Sequence, residues 1–213
     1  MFKSISIIGL ILLSLGMQAQ QVNTYTGTSF SYAVYIDTSK CTSNGDEKVD
    51  SIVIKDVSGS KSLQHIKVNT PYRLNCTTDV VAASLFNIED VNFDGHEDIM
   101  LMQYVPADAN LPYYWWVYNS TTRQFEEDTA LEKIKGPIFN AKEHSITCRW
   151  SEGCCHNGVN TYHFINGKIK LTEQEEYIHD ENTMTDTTIK RQIINGQLKE
   201  ISRNVKQEGV DGY

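Results

Sequence analysis

The 213-residue chain lacks the signatures that usually announce an enzyme. There is no Gly-x-Ser-x-Gly elbow, no phosphate-binding glycine loop and no His-Glu-x-x-His helix. Its six histidines, His65, His96, His144, His156, His163 and His179, are scattered. His163 falls on a predicted strand beside aromatics, where a structural histidine is the usual case. Carboxylates are plentiful, so composition leaves a glycosidase-like pair open, but nothing singles one out. The expectation is a non-catalytic protein.

Basic residues are in deficit. Lys and Arg number 19 against 27 Asp and Glu, a net charge of −8. Phosphate backbones need clustered Lys and Arg, so nucleic acid is excluded as a partner. An anionic membrane surface is disfavoured. A basic protein partner suits the balance, because complementary charge raises the encounter rate, although solubility alone accounts for many acidic chains. Sustained helical periodicity is also missing. So is any apolar run beyond the N-terminus long enough to span a membrane.

The apolar run that does exist reads as an export signal. Lys3 forms the charged end, Ile5 to Leu15 the apolar stretch, and small or polar residues run to Ala19. Cleavage after Ala19 leaves 194 residues from Gln20, the right size for a single domain. The expected organisation is a signal at 1–19, one all-β domain over 20–207 and a frayed tail at 208–213. The mature protein is expected in the periplasm or secreted.

All five cysteines, Cys41, Cys76, Cys148, Cys154 and Cys155, lie beyond the signal, and export places them where disulfides persist. Cys41 and Cys76 suit a pair across the first segment. Cys148 suits a small loop closed with Cys154 or Cys155, and the odd count leaves one thiol over. Zinc held by Cys148, Cys154, Cys155 and His156 is the alternative. Adjacent cysteines are awkward zinc ligands, so disulfides are preferred.

Strand patterns fill the chain. Phe30, Tyr32, Val34 and Ile36 alternate along one face, Lys48–Ile54 and Leu63–Val68 follow, and a dense aromatic block runs over Tyr113-Tyr114-Trp115-Trp116-Val117-Tyr118. With large rings on both faces, that block reads as a buried strand in preference to a sugar- or protein-contacting platform. Leu131, Ile134, Ile138 and Phe139 suggest a connection pinned to the core. Asn166-Gly167 and Asn195-Gly196 each sit between short strands, the strongest hairpin signal, since a type I′ turn needs positive φ at both central residues. The class is all-β: antiparallel sheets, a barrel or a propeller-like set.

One stretch carries chemistry. In Asp90-Val91-Asn92-Phe93-Asp94-Gly95-His96-Glu97-Asp98, oxygen-bearing side chains fall at positions 1, 3, 5 and 9, with glycine at 6. A hard cation wants several oxygens on one short loop, with Gly95 allowing the sharp turn and the His96 carbonyl free to join. Position 12, where an EF-hand has its bidentate Glu, is Leu101. The spacing therefore predicts a calcium loop between two strands, with Asp90, Asn92, Asp94, His96 and Asp98 as ligands. The bland alternative is an acidic turn that binds nothing. Glu89 and Glu97 add negative charge, so without an ion the loop is expected to repel itself. Asn44, Asp46 and Asp50 echo the spacing, but Thr42 and Glu47 replace the first Asp and the glycine, so that copy reads as degenerate.

The order of features from Phe86 to about Leu171 is specific enough to compare. It comprises Ile88-Glu89-Asp90-Val91-Asn92-Phe93-Asp94-Gly95 with Asp98-Ile99, then Trp116-Val117-Tyr118-Asn119 with Thr122 and Phe125. Pro137-Ile138-Phe139-Asn140, Ile146, Gly153-Cys154 and Tyr162…Gly167-Lys168 follow. This order resembles the exported immunity proteins of antibacterial type IV secretion systems, which inhibit peptidoglycan hydrolases and carry an FG-GAP-like calcium loop. The resemblance implies an all-β fold similar to periplasmic lysozyme inhibitors, which push a loop into the enzyme's cleft. It implies a peptidoglycan hydrolase as partner. No inhibitory loop matches residue by residue. The candidates are Val105–Pro112, whose Asp108 and Asn110 would meet the partner, and Ser151–Asn157, which a disulfide at its base would preorganise. The runner-up function is a calcium-stabilised binding module for a glycan or protein, using the aromatic block.

Overall fold

The computed structural model describes residues 20–37, 46–68, 74–75, 85–104 and 110–207. The expected signal, Cys41, Cys76, Asp108 and the tail at 208–213 lie outside the described residues. The described residues form almost wholly antiparallel strands, in three open sheets. Its contacts cluster into two compact units, one of Met1–Asp90, Gly95–Ala107 and Tyr113–Asp128, the other of Val91–Asp94, Asp108–Pro112 and Thr129–Tyr213.

The first unit holds two sheets. In one, Gln20–Thr26 (β1), Phe30–Asp37 (β2), Asp46–Asp56 (β3) and Ser62–Lys67 (β4) pair in order, and Leu74–Asn75 (β5) pairs with β3. The Asp46–Asp50 stretch that echoes the calcium loop is strand here. In the other sheet, Phe86–Glu89 (β6), Asp98–Met102 (β7), Tyr113–Asn119 (β8) and Gln124–Glu127 (β9) pair in order.

Period-2 alternation gives these strands a buried face. Tyr32, Val34 and Ile36 on β2 meet Val49, Ile52 and Ile54 on β3 in a core that excludes water. Rings join the two sheets: Phe86 lies 4.8 Å from Tyr25 and 5.3 Å from Tyr32, and Phe125 lies 5.3 Å from Phe30. Offset and edge-on pairs of this kind add to simple area burial. Gln64 on β4 adds a polar tie, its Nε2 donating to the Phe125 carbonyl (2.9 Å) and its Oε1 accepting the Phe125 N–H (2.8 Å). The aromatic block is core. Trp115 is fully buried, and Tyr113 and Trp116 are nearly so. All five residues of β7, beside it, are buried too.

The second unit is one six-stranded meander of Ile138–Asn140 (β10), Ser145–Ser151 (β11), His156–Ile165 (β12), Lys168–Asp180 (β13), Thr185–Ile194 (β14) and Gln197–Gln207 (β15). Both Asn-Gly hairpins form as read. Ile165 pairs with Lys168 around Asn166 (φ 53) and Gly167 (φ 70), and Ile194 with Gln197 around Asn195 (φ 54) and Gly196 (φ 77). The connection before β10 is only partly pinned. Leu131 and Ile134 are buried, but Ile138 is 56% exposed, because β10 is a sheet edge.

One face of this sheet is locked by side chains. Trp150 lies on Gly158, where a Cβ would run into the ring and the Glu175 carbonyl. Its Nε1 donates to Asn160 Oδ1 (3.2 Å), which also accepts from Gln174. Arg191 bridges Gln174 (2.9 Å) and Glu176, and His156 meets Glu176 (2.6 Å) and Glu152 (3.1 Å). The bond to Glu176 holds His156 above its ordinary pKa. Burial pushes the Glu176 carboxyl up, but His156 and Arg191 outweigh it, so Glu176 stays below its usual range.

Candidate functional site

The predicted calcium loop joins β6 to β7, which pair antiparallel with Glu89 opposite Asp98. It is therefore a loop between two strands, as the spacing requires. The chain turns tightly there, with Phe93 at φ 60 and Gly95 at φ 88. Nothing lies within 4 Å of a Cβ built at Gly95, so it is backbone conformation that favours glycine there.

Its side chains close the loop on itself. Gly95 N–H donates to Asp90 Oδ2 (2.9 Å), Asp94 N–H to Asn92 Oδ1 (3.0 Å), and Asn92 Nδ2 to Asp94 Oδ2 (2.9 Å). Asp98 is fully buried at the start of β7 and accepts the Tyr118 N–H at 2.7 Å. The His96 ring packs edge-on against Tyr118 at 5.4 Å, so its contribution to a cation would be its main-chain carbonyl. By chemical type the loop offers what a hard cation uses, three carboxylates, an amide oxygen and a main-chain carbonyl. Three His, Cys, Asp or Glu ligand atoms within 4.8 Å of one another occur elsewhere, at Cys154, Cys155 and Glu181, and the loop carboxylates do not form such a group.

Glu97 has a role that composition hides. It is not a loose loop charge. Its Oε1 accepts both the N–H and the hydroxyl of Thr28, with Ser29 N–H at 3.4 Å, and its Oε2 accepts the Tyr32 hydroxyl at 3.3 Å. The β1–β2 turn is thereby tied to the loop. A Cβ at Gly27 would overlap the Glu97 carboxylate, so a side chain there would have to displace that carboxylate from Thr28. Burial, then the Glu97 and Asp98 charges, push the Tyr32 phenol far up, so it remains a donor. No local motif flags this contact, which spans 69 residues.

The cysteine reading needs correction. Cys154 bonds Cys155, its chain neighbour, while Cys148 is free and buried. Cys148 lies mid-strand on β11 opposite Asn160, three residues before Ser151 pairs with Asn157 and the chain turns. Three strand residues are about 10 Å, beyond the Cα separation a disulfide tolerates. The disulfide therefore lies at the tip of the loop Ser151–Asn157, and the base is held by hydrogen bonds instead. Glu152 N–H donates to the His156 carbonyl (2.7 Å), and the Ser151 hydroxyl to that of Gly153 (2.8 Å). The zinc set does not assemble, since His156 is turned to Glu176 and Glu152.

In the other loop candidate, residues 105–109 lie outside the described residues, Asp108 among them. Its end is held: Gly136 N–H donates to the Leu111 carbonyl at 2.8 Å, Pro112 is buried, and Asn110 is half-buried.

Alkylation of the unfolded, unreduced chain is expected to find about one free thiol, and peptide mapping should place it at Cys148. In the folded protein that thiol should resist the reagent, because burial both hides it and raises its pKa. Label on the Cys154-Cys155 peptide would contradict the bond.

No family model matches the chain, and no curated protein matches it either. A solved structure does: a Xanthomonas type IV secretion system related protein, with a TM-score of 0.61. The match covers 94% of this chain and 98% of that one at 18% identity. At that identity the likeness shows a shared fold, and it extends over almost the full length of both proteins.

Proposed function

We propose that the protein is an exported, calcium-stabilised, non-catalytic inhibitor of a lysozyme-like peptidoglycan hydrolase, serving as immunity protein in a type IV secretion setting. The observation that carries this reading is the near full-length likeness to a type IV secretion system related protein, in a chain whose motif order resembles immunity proteins of such systems. The acidic balance suits a basic hydrolase. The inhibitory element is Val105–Pro112 or Ser151–Asn157. Two prolines in the first, and in the second the bond from Glu152 N–H to the His156 carbonyl, reduce the entropy lost on docking. The aromatic block is the poorer candidate for a binding surface, because Tyr113, Trp115 and Trp116 are buried and Tyr114 and Tyr118 are half-buried. Capture of exported proteins on the immobilised mature chain tests the reading. A peptidoglycan hydrolase should be retained, and retention of other proteins alone would sink it.

Calcium in this reading is held by Asp90, Asn92, Asp94, Asp98 and the His96 carbonyl, and supplies a fixed charge that rigidifies the β6–β7 connection. Asp94 would exchange its Asn92 amide bond for the ion. Exported calcium modules bind with Kd of roughly 10⁻⁴–10⁻³ M. At ten times Kd the linkage is about 1.4 kcal/mol, a shift of a few degrees in Tm. Asp94→Ala is expected to abolish the shift. Identical melting curves with calcium and with chelator, and no heat on titration, would remove calcium from the account.

A further inference from the structure

The face of the six-stranded sheet opposite Trp150 carries a groove of about 370 Å³. Strand register gives its floor. One row across four strands is Asn157, Tyr177, Thr188 and Asn204, each paired with the next. The adjacent row is His179, Asp186 and Lys206, also paired in sequence. Paired residues of neighbouring strands share a face, so the two rows form one array. The Cys154–Cys155 tip borders it, with the Cys155 carbonyl accepting the His179 N–H at 2.8 Å. His179 Nδ1 meets Asp186 at 2.8 Å.

We propose that this groove is a saccharide-binding site. The array offers donors and acceptors together: two amides, two hydroxyls, an imidazole, a carboxylate and an ammonium. Sugar hydroxyls, each both donor and acceptor, match such a mixed set. Asp186 and Lys206 offset each other, Glu175 beside the Tyr177 hydroxyl is paired with Lys190 at 3.1 Å, and Glu181 lies against the Cys155 sulfur, so the groove suits a neutral ligand better than a free anion. The apolar component is present as well. Tyr177 is 37% exposed in the middle of the first row, and the two sulfurs form a polarisable wall at its end. An aromatic face with a few convergent polar groups is the recipe for a small-molecule site. A sugar ring laid on Tyr177 would present its C–H face to the phenol and its edge hydroxyls to Asn157 and Thr188, leaving Asn204 for the next ring. Four strands span roughly 14 Å, long enough for a short oligosaccharide. Bonding adjacent cysteines fixes the wall before the ligand arrives.

The site is separate from the inhibitor reading, and its test contains no hydrolase, so either can fail alone. Saturation-transfer NMR would be run on the mature chain with four probes: chitotetraose, maltotetraose, cellotetraose and mannotetraose. At least one should receive saturation and be titratable to a Kd. Tyr177→Ala should weaken that probe by about tenfold or more. Lys206→Ala, at an exposed position, should weaken it without changing Tm. Reducing the Cys154–Cys155 bond should also weaken it. Transfer to none of the four probes overturns the proposal. So does binding that survives both Tyr177→Ala and Lys206→Ala, which would place the sugar elsewhere.

Discussion

Trp115→Ala is expected to cost the fold about 3–5 kcal/mol, the range for removing a large aromatic from a packed core. Trp115 is fully buried on β8, directly opposite Met100 on β7, and its carbonyl accepts the Asp128 N–H. Tyr113 meets it edge-on at 6.3 Å. Little around it can collapse, because every residue of β7 is itself buried. Trp115→Phe should recover much of the loss. Urea unfolding gives the number, and an unchanged m-value would assign it to the native state. A loss below about 0.5 kcal/mol, within the range of surface substitutions, would mean that the aromatic strand is a surface platform after all.

The second large effect is at Glu97, and its sign decides between two accounts. If Glu97 were only surplus charge on an acidic loop, Glu97→Ala would stabilise the protein in chelator. The structure has it gripping Thr28, Ser29 and the buried Tyr32 hydroxyl. Thr28 and Ser29 are exposed and can turn to water, but the Tyr32 hydroxyl is left without its acceptor, and a buried donor without its partner costs about 1–3 kcal/mol. The expected result in chelator is therefore a destabilisation of that order. Glu97→Gln, which keeps an acceptor oxygen, should lose less. A higher midpoint for Glu97→Ala would overturn the contact. Keeping calcium out of the measurement separates this tie from the ion.

What the sequence disclosed follows the range of the forces involved. Asn166-Gly167 and Asn195-Gly196 were legible because positive φ is a local demand that those residues meet most cheaply. The strands around the Asp90–Asp98 loop were legible from short apolar runs, and the burial of Trp115 from aromatics on both faces of one strand. Long-range facts were not. Nothing near Glu97 points to Thr28, and nothing near Tyr177 points to Asn204 two strands away. The disulfide was misread because a six-residue spacing from Cys148 to Cys154 looked closable. The register of β11 with β12 carries Cys148 into the sheet and leaves Cys154 and Cys155 at the tip. Ile138 was misread because an apolar residue after Gly136-Pro137 says nothing about which strand lies at an edge.

Lysis of a cell-wall suspension by a panel of lysozyme-like enzymes, with and without the mature protein in calcium, is the most direct measurement. The panel must include any hydrolase encoded beside this gene. Stoichiometric inhibition of at least one enzyme is expected. Replacing Asp108 and Asn110 with alanine should weaken it at unchanged Tm if Val105–Pro112 enters the cleft. Retained inhibition in that variant would move the contact to Ser151–Asn157. If every enzyme lyses walls at the same rate with and without the protein, and none binds it, the inhibitor reading is contradicted.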